Sequence, residues 1–191
     1  MAPRHSNRTG SSTSPLSAPS AVIAERGEVV LRTADQDDLP AVDALTAICY
    51  APIQASFVAM LGEDCYEAVR SVPELSWEAR KAKQNRSLFA EHPDQVWVLD
   101  DDGRVFGFVT FWLFPERSYG HIDNNGVDPN RVGEGWASFM YRAVLERFRE
   151  LGLAFAHVDT GLDDAHIPAR RAYEAVGFDR QVPTVDLWQR L

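Results

Sequence analysis

The run Val127-Asp128-Pro129-Asn130-Arg131-Val132-Gly133-Glu134-Gly135-Trp136-Ala137 constrains this chain more than any other part of it. Extended sequence precedes it and an amphipathic helix follows. Trp136, Phe139, Met140, Ala143, Val144, Phe148 and Leu151 recur on one helical face, with Arg142, Glu146, Arg149 and Glu150 elsewhere. Gly152 then stands where a helix stops. Gly133, Gly135 and Ala137, at alternate positions, leave the N–H groups of the first turn unobstructed. Those amides have no intrahelical acceptor and the helix dipole favours an anion beside them, so the turn predicts a phosphate socket. Rival phosphate motifs are missing. No Gly-Lys-Ser/Thr occurs, and Gly133-x-Gly135 lacks the third glycine of a dinucleotide turn.

The chain has 191 residues, enough for one domain with a sizeable core, expected over 27–191. Residues 1–26 begin rich in Ser, Pro, Thr and Asn without apolar periodicity, which predicts a disordered tail. Ala21-Val22-Ile23-Ala24 is too short for the apolar region of a signal peptide, and no run approaches the roughly 20 apolar residues of a membrane span. Cys49 and Cys65 lack metal-ligand spacing and predict reduced, buried thiols, so the expected compartment is the cytoplasm. The net charge is −9, and the tail carries Arg4, Arg8 and Arg26 against Glu25 alone, so the remainder is more acidic still. Such a domain is a poor partner for nucleic acid and a plausible host for a cationic small molecule.

Periodicity then orders the elements. Glu28–Thr33 reads as a strand, followed by N-capping aspartates at 35, 37 and 38, Pro40 in a first helical turn, and a stripe of Val42, Leu45, Ile48 and Cys49. Residues 50–89 look helical with interruptions at Pro52, Gly62 and Pro73, a region suited to a lid or substrate-shaping wall. Val96–Leu99 and Arg104–Phe114 read as a hairpin turning at Asp102-Gly103. Tyr119–Val127, the glycine turn, its helix and Leu153–Thr160 form a strand–helix–strand crossover, so those two strands should run parallel. A short helix over about 167–176 ends at Gly177, and Val182–Gln189 should close the sheet as a last strand, which could also pair across a homodimer. The fold class is α/β with a mixed sheet.

The strand Tyr119–Val127 is unusually polar for a sheet centre, where parallel strands are nearly continuous Val, Ile and Leu. His121, Asp123 and Asn125 alternate and should share one face, where burial without partners costs about 1–3 kcal/mol each. A cleft at this place would both solvate and use them. Gly126 and the paired asparagines suit a bulge that prises the strand from its neighbour. Tyr173 lies in the short helix just before its glycine stop, and Phe111, Trp112, Phe114 and Trp136 could wall a pocket or simply pack the core. No His-Glu-x-x-His or cysteine cluster suggests a metal.

Taken together, these segments resemble the GCN5-related N-acetyltransferase (GNAT) superfamily from about Val29 onward. The resemblance rests on Val30-Leu31-Arg32-x-Ala34-x-x-x-Asp38-Leu39, on Val127-Asp128-Pro129 leading into Val132–Ala137, and on His166-Ile167-Pro168-Ala169-Arg170-Arg171-Ala172-Tyr173-Glu174 with Gly177-Phe178. It implies a single GNAT domain with a mostly antiparallel mixed sheet, a splayed central parallel strand pair and flanking helices. It also implies acetyl-CoA as donor. Its pyrophosphate would lie on the amides from Val132 to Ala137, beside Arg131 and His166, and its pantetheine arm beside Asn125, Gly126 and Val127. The implied chemistry is acetyl transfer to a primary amine of a small-molecule acceptor by direct attack, through a tetrahedral intermediate held by a strand amide. Tyr173 would protonate the departing thiolate and His121, with Asp123 on the same face, would act as base. Three positions depart from the family pattern: Val132 replaces Gln or Arg, Glu134 puts a carboxylate in the phosphate turn, and His166 replaces Asn. They motivate the alternative of a non-catalytic GNAT fold serving as a sensor or protein-interaction module. A peptide terminus is a third acceptor class.

Overall fold

The structure is a computed structural model that describes residues 20–72 and 74–191. Six strands form one sheet in chain order: β1 (Val22–Arg26), β2 (Val29–Thr33), β3 (Val96–Asp101), β4 (Arg104–Phe114), β5 (Tyr119–Val127) and β6 (Phe155–Val158). Neighbours are antiparallel except β5 and β6, which run parallel through α4 (Trp136–Glu150), as the crossover requires. Alternation along β3 explains the layering. Trp97 and Leu99 face α4 with Leu31, Phe111, Ile122, Met140, Val144 and Phe148, whereas Val96 and Val98 face α1 (Leu39–Leu61) and α3 (Trp77–Glu91) with Val42, Leu45, Leu88 and Phe108. The remaining helices are α2 (Glu63–Arg70) and α5 (Ile167–Glu174).

Local signals act as expected at several joints. Asp35 and Asp38 form a reciprocal capping box ahead of α1, and Arg32 ties that turn to the sheet through Asp38 at 2.6 Å and Asp100 at 2.8 Å. Asp102 and Gly103, with φ of 52° and 83°, make the left-handed pair that a tight β3–β4 hairpin needs.

Five expectations need correction. The tail reaches less far than Arg26, because Val22–Arg26 pairs with β2 as β1; residues 1–19 lie outside the described residues, as does Pro73. Pro52 does not interrupt α1: it sits exposed inside a 23-residue helix. Anchors at Leu39, Val42 and Leu45, and at the Ser56–Asp163 contact of 2.6 Å, outweigh the ~3 kcal/mol an interior proline costs. The stretch Gln36–Leu61 is, by length and composition, apolar enough to cross a membrane, with a mean hydropathy of 1.6 over its best window; in this fold it packs on α3, β4 and β5. Cys49 and Cys65 are free but only half-buried. Finally, residues 179–191 form no strand and are exposed, so β6 keeps an open outer edge among the described residues. Val182, Val185 and Leu187 alternate irregularly around Pro183, whose missing N–H cannot join a ladder.

Candidate active site

Gly133 and Gly135 adopt φ of 91° and 83°, which carries the chain into α4 through left-handed backbone. Among the described residues, no acceptor engages the main-chain amides of Val132, Gly133, Glu134, Gly135, Trp136 or Ala137, and α4 has no side-chain cap. A Cβ on Gly133 would meet nothing within 4 Å, so the chain borders free space at that glycine. Glu134 is drawn aside: its carboxylate accepts from Trp136 Nε1 at 2.6 Å and from Arg131 Nε at 3.4 Å. Hydrogen bonding from Trp136 keeps it below the usual carboxylate range. Arg131 also pairs with Asp101 at 2.7 Å and lies over Phe106, while Arg26 lies over Trp136. The turn therefore has unpaired donors, two cations over the indole, and its one carboxylate tethered. A diphosphate fits it.

β5 and β6 pair only from Tyr119–Phe155 to Ile122–Val158, and the chains part beyond. Asn125, Gly126 and Val127 therefore have no β6 neighbour, which leaves an open slot beside them. A bulge sits at the parting, for two residues of β4 step (Val109 to Phe111) oppose three of β5 (Ile122 to Asn125).

This bulge corrects the one-face reading of His121, Asp123 and Asn125. Asp123 accepts from Trp112 Nε1 at 3.3 Å and lines a cavity against α3, and the neighbouring Asn124 also turns to that side. Asn125 crosses to the other face, where it receives a hydrogen bond from Tyr141 Oη at 2.6 Å and donates Nδ2–H to Tyr173 Oη at 3.1 Å. Tyr173 and Tyr141 are buried with ring centroids 4.8 Å apart, and burial pushes both phenols up. Among the described residues, no acceptor takes the Tyr173 hydroxyl proton. It stays available to donate.

His121 is half-buried, and its Nδ1 lies 2.7 Å from Nδ1 of His157, its register partner in β6. Burial, then the His157 charge, hold it below the ordinary imidazole range, against the opposing pull of Asp123 and Asp159. One of the two Nδ1 atoms must carry the shared proton. Asp159 Oδ1, 3.5 Å from His157 Nε2, favours a proton on that Nε2. His157 Nδ1 then accepts from His121 Nδ1–H, and His121 Nε2 is left with a lone pair. His121, His157 and Asp159 could also be read as a metal trio, each offering an atom within 4.8 Å of the others. Two nitrogens on one tetrahedral zinc stand about 3.3 Å apart, however, so the observed 2.7 Å belongs to a hydrogen bond.

Two other expected residues are engaged elsewhere. The bare Cα of Gly126 faces α1, where a Cβ would come within 2.8 Å of Cys49 Sγ, and Cys49 donates to the Val127 carbonyl. His166 contacts Asp163 at 2.5 Å and stacks edge-on with Phe57, closing a loop that Arg170 pins through the carbonyls of Gly161 and Asp163. Sequence reasoning missed Tyr50, Tyr141, His157, Asn124 and Lys81. Tyr141 lies four residues after Ala137 and three before Val144, so the helical stripe already pointed to it; His157 carried no signal until strand register placed it opposite His121.

A family model described as Acetyltransferase (GNAT) family matches residues 62–178. A mycothiol acetyltransferase from Thermomonospora curvata is 31% identical over an alignment covering 50% of this chain and 38% of that protein, so the chain spans well under half the length of that curated relative. Among solved structures, Ard1 from Thermoplasma volcanium superposes with a TM-score of 0.57 at 20% identity, covering 81% of this chain and 85% of that one. The structure of AAC(6')-Iy in complex with the bisubstrate analog CoA-S-monomethyl-acetylneamine superposes at 0.55 and 16% identity, covering 85% and 99%.

Proposed function

Because the chain belongs to the acetyltransferase (GNAT) family, whose donor is acetyl-CoA, we propose that it moves the acetyl group to a primary amine of a small-molecule acceptor. The observation that carries this reading is the row of unpartnered amides from Val132 to Ala137 beside a strand pair that parts after Ile122 and Val158. Acetyl-CoA supplies the activated thioester; the chain's residues bind it, orient it and move protons. His121 Nε2 accepts the amine proton. It lies on the α3 side of the sheet with Asp123, whose carboxylate attracts the incoming ammonium. The amide of Asn125 reaches only the Tyr50 hydroxyl, at 3.4 Å, long for such a bond, and so remains a candidate donor to the developing oxyanion. Tyr173, held through Asn125 on the opposite face, delivers a proton to the departing thiolate. Base and acid thus approach the reacting carbonyl from opposite faces of the parted sheet.

A thermal shift with acetyl-CoA tests the binding half. At a hundredfold excess over Kd, occupancy stabilises the protein by about 2.7 kcal/mol, and thiol release over an amine panel tests the chemistry. No shift at millimolar acetyl-CoA refutes the socket. Binding without thiol release across the panel favours the non-catalytic reading that Val132, Glu134 and His166 first suggested.

A further inference from the structure

The acceptor side of the sheet holds an open cavity of about 550 Å³, lined by Arg80, Lys81, Lys83, Gln84, Ser87, Trp112 and Asp123. Its volume is in the range of small-molecule sites. Its charge runs against the whole chain. The protein carries −9, yet α3 puts Arg80, Lys81 and Lys83 on this wall. Among the described residues none of the three pairs with a carboxylate, whereas Arg86 on the same helix is satisfied by Asp43 at 2.5 Å. The Nε of Arg80 is buried without a hydrogen-bond partner, which costs stability unless something else meets it. Lys81 donates to Asn124 Oδ1 at 2.7 Å and lies over the Tyr50 ring. Burial holds its ammonium below the ordinary lysine range, against the pull of Asp123 and with a further push from Arg80 and Arg70. Three cations thus face a single acid. Asp123 is the one acid on the lining, and it stands on β5 across from them.

We infer that the acceptor is zwitterionic: its amine goes to Asp123 and His121 on β5, and an anionic group, carboxylate or phosphate, goes to Arg80, Lys81 and Lys83 on α3. The assignment rests on the acetyl-transfer reading of this site and narrows it. It also reverses what composition suggests, because an acidic average conceals a basic wall where the acceptor lies. An anion there is attracted by the three cations that line the wall, whereas a polyamine is repelled by them.

The test pairs ω-amino carboxylates, from glycine to 6-aminohexanoate, with their carboxamides and with aminoalkyl phosphonates, on the full chain with acetyl-CoA. kcat/KM for the preferred anionic acceptor should exceed that of its carboxamide by ten- to hundredfold, carried by KM; the phosphonates tell carboxylate from phosphate. K83Q, at an exposed position, and R80Q should each shrink the ratio of kcat/KM for the anionic acceptor to that for its carboxamide about tenfold. Equal kcat/KM for carboxylate and carboxamide overturns the inference while transfer itself stands. If no amine releases thiol, the transfer reading fails instead. The inference is then decided by NMR titration of the acetyl-CoA-saturated protein with 6-aminohexanoate: shifts on α3 together with shifts at His121 and Asp123 on β5, the former lost in R80Q/K83Q, uphold it, and their absence refutes it.

Discussion

Replacing Tyr173 with phenylalanine separates chemistry from stability at this site. The hydroxyl accepts Asn125 Nδ2–H at 3.1 Å, but the same Nδ2 also donates to the Asp123 carbonyl at 3.0 Å, and Tyr141 still holds Asn125 Oδ1 at 2.6 Å. The buried amide therefore keeps partners on both ends. The lost bond should cost about 1 kcal/mol or less, a fall in Tm of roughly 2–4 °C for a domain of this size. The ring stays packed on Tyr141 and Phe178, so the cleft keeps its shape. Turnover should fall far more, by about 10²–10⁴-fold, because the only change at the thiolate is the loss of its proton donor. The assay is CoA thiol release at saturating acetyl-CoA, beside the acetyl-CoA Kd by titration calorimetry and Tm by calorimetry. Tyr141→Phe serves as contrast: it strips Asn125 Oδ1 of its donor, so it should lose more stability and less turnover. Equal turnover in wild type and Tyr173→Phe removes Tyr173 from the mechanism.

Further outcomes follow from the same geometry. With burial holding His121 low, kcat/KM should climb as pH rises through a midpoint below about 6.5 and then level off, since the neutral ring is the base; a midpoint above 7 contradicts the assignment. Asp159→Asn removes a charge that raises His121, so that midpoint should move lower still, and an unmoved profile shows that the Asp159 charge does not reach His121. Gly120→Ala places a Cβ about 2.4 Å from the Phe148 ring and should destabilise by about 1–3 kcal/mol, with Phe148→Leu in the same chain recovering part of the loss in denaturant melts. Arg131→Gln should loosen acetyl-CoA binding several-fold and Glu134→Gln tighten it, measured by calorimetry at low salt; shifts of the same sign would show that neither charge reaches the phosphates.

Much of this fold was legible because its signals are local. The stripe of α4, the Asp102-Gly103 turn, the capping aspartates and the glycine socket each depend on a handful of adjacent residues. What stayed hidden depends on tertiary context. Pro52 looked like a breaker, yet packing on either side of it carries α1 through. His157 became a partner for His121 only when parallel pairing set the register. The basic wall of α3 vanished into a net charge that sums distant acids with it.

The deepest miss was a single residue of phase. Strict alternation puts His121, Asp123 and Asn125 on one side, which leaves Tyr173, on α5, without a link to the cleft. The bulge at Asp123 and Asn124 breaks that alternation where β6 departs. Asp123 then lines the cavity against α3, Asn124 turns to the same side to meet Asn85, and Asn125 turns through the sheet to hold the Tyr173 hydroxyl. A regular strand would offer its polar groups to one face, where the proposed acid and base would crowd. The bulged strand gives each its own side, and at the same point it ends the ladder that would otherwise fill the slot between them.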